Sequence, residues 1–103
     1  MNERLAEIRR IPQTFQPVLW SKNVGKMDRD RDKIYIIHHI LSYGDLKELR
    51  QLFRLYDKKE IREAFIKFPK RIYQPSVFYF VKNFILGLRN RKLKEEDYVK
   101  APF

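Results

Sequence analysis

The chain contains no cysteine. That excludes a disulfide framework and any thiolate metal site, and it makes a reducing compartment, the cytoplasm, the expected location. Glycine is scarce, three in 103 residues, and neither Gly25 nor Gly44 stands in a phosphate-cradling loop. Long apolar runs are missing too. The most apolar stretch, Val77 to Leu88, is shorter than a membrane span and carries Lys82 and Asn83. The opening MNERLAEIRR has no apolar h-region, so no secretory signal is expected. Catalytic parts are equally sparse: Ser21, Ser42 and Ser76 sit in no nucleophile motif. His38 and His39 are adjacent, so on a helix they diverge by about 100° and cannot share a metal. They are expected to be solvated or locally hydrogen-bonded. Asp28, Asp30 and Asp32 alternate as in a Ca²⁺ loop, but the glycine and glutamate that complete one do not follow. The expectation is a chain with no enzymatic activity, no metal and no cofactor.

What is present is charge and aromatic bulk. The net charge is +10 and the pI about 10.0, with 8 Phe, 6 Tyr and one Trp. An excess of this size points to an acidic partner, either nucleic acid or protein. The basic residues are interspersed with acids along the whole chain, so no polybasic arm exists. Abundant Lys, Arg, Glu and Ile with little Gln, Asn or Thr also matches the composition of a thermophile.

The pattern is helical. Residues 1–10 could form a first helix, after which Pro12 and Pro17 enforce an extended stretch. Leu19 and Trp20 are expected to anchor that stretch to the core. Asp28 or Asp30 would cap a helix running to Tyr43, with Gly44 as its C′ residue. Ile34, Ile36, Ile37, Ile40 and Leu41 fill one arc of it; Tyr35, His38, His39 and Ser42 share the other. Next come two copies of one phrase, DLKELRQLF from Asp45 and DKKEIREAF from Asp57. Each opens with an acid cap and a Glu three residues on, the capping-box arrangement. Leu46, Leu49, Leu52, Phe53 and Tyr56 make the expected buried stripe of the first copy. Ile61, Ala64, Phe65 and Phe68 make that of the second, which Pro69 stops. A last helix is expected from Pro75 to Leu88, with Val77, Val81, Phe84 and Leu88 at the centre of its buried side. The fold class is therefore all-α: a compact bundle of four to five short helices around a central helical hairpin, helix-turn-helix-like. Residues 1–88 form one domain with an arm over 1–18. Residues 89–103 form a basic, mixed-charge, mobile tail in which Tyr98, Val99 and Phe103 could dock.

Two binding surfaces are candidates. Leu55 and Ile66 fall on the outward sides of the repeated helices, Tyr79 and Leu86 on that of the last one. With Trp20 and Tyr56 they make a candidate protein-docking set. Lys47, Arg50, Arg54, Lys59, Arg62, Lys70 and Arg71 make a candidate phosphate-contacting set for DNA. Base readout is poorly served, because the second copy opens with no Asn, Gln, Ser or Thr and carries Glu60 and Glu63.

A further pattern lies in Leu19-Trp20-Ser21, Lys26-x-Asp28, Asp32-Lys33, Ile40-Leu41-x-Tyr43-Gly44, Leu52-Phe53-x-x-Tyr56 and Lys59-Glu60-Ile61. In this order, over about residues 11–88, the chain resembles the small prokaryotic domains often encoded beside AbiEii-type nucleotidyltransferases. The resemblance implies an antitoxin-like, non-catalytic partner of a nucleotidyltransferase-type protein encoded nearby. It carries over no binding residues. A small DNA-binding regulator is the alternative, and a homodimer is a further expectation.

Overall fold

The computed structural model describes residues 10–100; the helix expected over residues 1–10 and the docking role of Phe103 fall outside the described residues. The architecture is all-α. Four helices carry it: α1 (Lys33–Tyr43), α2 (Leu46–Leu55), α3 (Lys58–Lys67) and α4 (Pro75–Phe80), the last continuing into a wide π turn, Val81–Ile85.

The helix starts follow local chemistry, with one change from expectation. α1 begins at Lys33, later than Asp28 or Asp30 would have set it. The aspartates build a turn before the helix instead. The Asp28 carboxylate accepts from the backbone N–H groups of Asp30 and Arg31, both at 2.8 Å, and the Asp32 carboxylate accepts from the Asp28 N–H at 2.8 Å. These donors hold both carboxyls below the usual range. α2 starts with a capping box, in which Glu48 accepts from the Asp45 N–H at 2.8 Å and the Asp45 carboxylate accepts from the Glu48 N–H. For α3 the exchange is again reciprocal: Asp57 accepts from the Glu60 N–H at 2.8 Å and Glu60 from the Asp57 N–H at 3.3 Å.

Gly44 does not take the left-handed conformation expected of a C′ glycine. Its φ is −78° and its backbone is extended. It is needed for closeness: a Cβ there would stand 2.7 Å from the Ile40 carbonyl oxygen. The left-handed position is Gly87, at φ 63°, where the chain turns after α4.

α1 is the strut of the core. Ile36, Ile37 and Ile40 are fully buried on it, and α2 and α3 both pack against it. α2 contributes Leu52 and Leu55, α3 contributes Ile61, Ala64 and Phe65. Leu19, as expected, is anchored in this core, but Trp20 is not: it is 80% exposed. In the short turn that follows Phe15, Leu19 takes the inward position and its neighbour is left facing water.

Within the tail expected to be mobile, Tyr98 and Val99 dock, as the candidate docking segment had it, and they close the core. Tyr98 is buried, stacks on Phe65 at 4.6 Å and donates its hydroxyl to the Phe65 carbonyl at 2.6 Å. Val99 forms an isolated parallel bridge with Tyr73. Phe65, Tyr73, Phe78 and Tyr98 thus make one aromatic cluster, with centroids 4.6–6.3 Å apart.

Candidate functional site

Two members of the expected docking set are covered by a remote loop. Leu55 is 4% and Tyr56 1% exposed. The Arg29 guanidinium donates twice to the Leu55 carbonyl, at 3.0 and 2.7 Å, and lies 4.7 Å over the Tyr56 ring. The Tyr56 hydroxyl donates to the Arg29 carbonyl at 2.6 Å, and burial raises its pKa. Periodicity along α2 places Tyr56 in the buried stripe, but it puts Leu55 outward, and only the remote loop encloses that residue. Leu86 is buried for a different reason. The π turn closes through Leu86 N–H to the Val81 carbonyl, five residues back, at 2.9 Å. The extra residue in the turn shifts the phase of everything after it, so Leu86 turns inward and Phe84, expected at the buried centre, is 66% exposed. Ile66 is half-buried against the core. Tyr79 stays exposed, with its hydroxyl committed to Glu95 at 2.8 Å, which raises its pKa.

The exposed apolar surface lies elsewhere. Phe80 and Phe84 stand one helical turn apart on α4 and its π turn, 51% and 66% exposed, with ring centroids 5.9 Å apart. The Arg89 guanidinium covers Phe84 at 5.0 Å. Leu46 and Phe68, both expected in buried stripes, are also exposed, because each sits at the end of its helix.

The basic residues divide. Lys47, Arg50 and Arg54 are exposed along α2. With Leu46, Gln51 and, further on, Arg10 and Pro12, they line two adjoining hollows that share Gln51 and Arg54 and, among the described residues, include no carboxylate. Lys59 is exposed on α3, and Arg62 is half-buried. Arg71 is tied to the Glu96 carbonyl at 2.9 Å. The two flanking helices therefore offer one continuous basic ribbon, on α2.

Sequence reasoning missed two features. The first is His38, buried and fully engaged on both ring nitrogens. Nε2 lies 2.7 Å from the Phe68 carbonyl, which can only accept, so Nε2 carries the proton. Nδ1 is then bare and accepts from the Tyr73 hydroxyl at 2.7 Å. Burial lowers the His38 pKa to about 4, keeping the ring neutral, and raises that of Tyr73. His38 is neither solvated nor locally hydrogen-bonded, the two states expected of it, because its partners Phe68 and Tyr73 come from the end of α3 and the loop beyond it.

The second is a cleft of about 510 Å³ between the N-terminal loop and α1, lined by Pro17, Trp20, Tyr35, His39, Tyr43 and Glu48, among others. Tyr35, His39 and Tyr43 recur every fourth residue, one helical face. Tyr35 and His39 stack at 3.9 Å, and His39 and Tyr43 follow at 5.9 Å. The Tyr35 hydroxyl meets Ser21 at 2.6 Å, tying loop to helix. His39 donates from Nδ1 to the Tyr35 carbonyl at 3.0 Å. Its pKa is lowered by burial and by Lys70, Lys100 and Lys22. The four-residue spacing of the aromatics was the signal available in the sequence.

Among the described residues no three His, Cys, Asp or Glu side chains gather closely enough to hold a metal ion, and no helix is long and apolar enough to cross a membrane. A family described as "Family of unknown function (DUF6922)" matches residues 15–65. No curated protein and no solved structure matches the chain.

Proposed function

We propose that this chain is a non-enzymatic, cytoplasmic binding module that docks on an acidic protein surface through α4. The observation that carries this is the Phe80–Phe84 pair. Two neighbouring phenyl rings, each more than half in water, cost solvation free energy in the free protein that a partner recovers. Arg89 over Phe84 supplies a cation at the rim, and the net charge of +10 favours approach of an acidic partner. The resemblance of residues 11–88 to domains encoded beside nucleotidyltransferases supplies the partner class: a toxin-like nucleotidyltransferase, inhibited by occlusion, with this chain as its antitoxin. Tyr79 is also exposed on α4, next to Phe80 in the chain. Leu55, Tyr56 and Leu86, being buried, lie outside the docking face.

The test is co-expression with the adjacent gene. The expected result is a stable complex and relief of toxicity, both lost in the double variant Phe80→Ser/Phe84→Ser while the helical signal is retained. A wild-type chain that stays alone and leaves the toxicity unchanged would remove this reading.

A second reading, a small DNA-binding regulator, is favoured by the α2 ribbon, where Lys47, Arg50 and Arg54 line hollows in which no described residue is a carboxylate. Binding to duplex operator DNA should fall steeply with salt, and alanine at all three positions should flatten the slope by about three phosphate contacts. A slope untouched by the triple variant would sink it.

A further inference from the structure

We infer that the cleft between the N-terminal loop and α1 is a nucleotide-binding site, taking a nucleobase between Trp20 and the Tyr35–His39–Tyr43 wall with its phosphate toward the flanking lysines. Four observations converge on it. The indole of Trp20 lines the open cleft and is 80% exposed, an apolar ring available to a ligand. The opposite wall is a column of three aromatic rings turned face to face along α1, so it offers ring edges to the cleft, against which a base held by Trp20 makes edge-to-face contact. The cleft, at about 510 Å³, lies in the range of small-ligand sites.

Its charges are also arranged for such a ligand. Lys22 Nζ stands 5.0 Å over the Tyr35 ring and Lys100 Nζ 5.3 Å over the Tyr43 ring. Each is thus held at one end of the ring column, so a phosphate at either end meets one of them at little cost to redirect. Asp45 and Glu48 line the cleft near Tyr43. They disfavour a phosphate at that point, and there they can accept from the amino group of a base. His39 adds a hydrogen-bonding atom: its Nδ1 is spent on the Tyr35 carbonyl, and among the described residues Nε2 has no hydrogen-bond partner.

The site shares no lining residue with the α2 ribbon or with the Phe80–Phe84 face. It is therefore independent of both readings above. The same chemistry, a base carrying a phosphate, is offered by a free nucleotide or by a single strand, and the experiment separates them.

Trp20 is the chain's single tryptophan, so its fluorescence reports this cleft alone. The full chain is titrated with AMP and with an eight-nucleotide oligoadenylate. Saturable quenching by either supports the site. An oligonucleotide effective at far lower concentration than AMP identifies the strand as ligand, and equal potency identifies the free nucleotide. Tyr43→Ala and His39→Ala should each weaken binding about ten-fold, with Tyr43→Phe retaining it and melting curves confirming the fold. Alanine at Lys47, Arg50 and Arg54 should leave the quenching in place. No quenching by either probe overturns the inference. So does quenching insensitive to Tyr43→Ala and His39→Ala, or quenching by a proline-rich peptide alone.

Discussion

α2 and α3 are written from one phrase and used in two ways. Counted from their cap aspartates, Asp45 and Asp57, the two helices share Asp, Lys, Glu, Leu or Ile, Arg and Phe at the same offsets and part further on, where Arg54 and Leu55 stand against Ile66 and Lys67. Yet α3 buries Ile61, Ala64 and Phe65, while α2 buries Leu52 and Leu55 and leaves Leu49 and Phe53 half-buried. At 3.6 residues per turn, the inward faces differ by a rotation of roughly 80°. What turns them is what arrives from elsewhere in the chain. Tyr98 and Tyr73 close over Phe65; Arg29 and the N-terminal loop close over Leu55 and Tyr56. A local recipe fixes that a helix forms, and its remote neighbours fix which side is inside.

The largest expected effect breaks that contrast at its sharpest point. Phe65→Ala should destabilise the chain by about 3–5 kcal/mol in chemical denaturation, as for a fully buried phenyl group. Phe53→Ala, at the equivalent offset, should cost well under half of that. Equal losses would show the two copies to be packed alike.

Acid should act on the α3 side next. His38 has its pKa lowered by burial to about 4 from 6.5. Between those values the unfolded chain takes up a proton that the folded chain refuses. Stability present above pH 6.5 is therefore lost progressively as pH falls to 4, by roughly 3 kcal/mol at most. His39, also lowered by burial, acts in the same direction. A denaturation series across that window should show the slope, and His38→Gln should flatten most of it. The Asp28 and Asp32 carboxyls lie lower and act only in stronger acid.

A smaller effect concerns the closure itself. Tyr98→Phe keeps the ring against Phe65 but orphans the Phe65 carbonyl, which should cost about 1–3 kcal/mol. A neutral outcome would mean that the ring alone closes the core. The smallest effect sharpens the likeness of the copies. Asp45→Ala and Asp57→Ala should cost about 1 kcal/mol each, because each removes the carboxylate half of a capping box.

This division marks what the sequence made legible. Helices α2 and α3, their caps and the all-α class follow from signals within a few residues of one another. Burial of Ile36, Ile37, Ile40, Leu52, Ile61 and Phe65 follows from periodicity. Trp20, His38, Leu55 and Leu86 did not behave as expected, and each for a non-local cause: a turn that prefers its neighbour, a loop that satisfies an imidazole, a guanidinium lid, and a π turn that changes phase. The aromatic cleft was half legible. Its wall is a four-residue repeat on α1, but its other side comes from a loop that only the fold brings near.

The imidazole of His38 also serves as a clock. Its Nε2 proton is sealed between α1 and the Phe68 carbonyl, so it can trade places with a solvent proton only when that loop lifts away. Its resonance should therefore persist in water where those of exposed rings are lost to exchange. The rate at which it fades in D₂O measures how often the α3 end of the molecule opens without the rest unfolding.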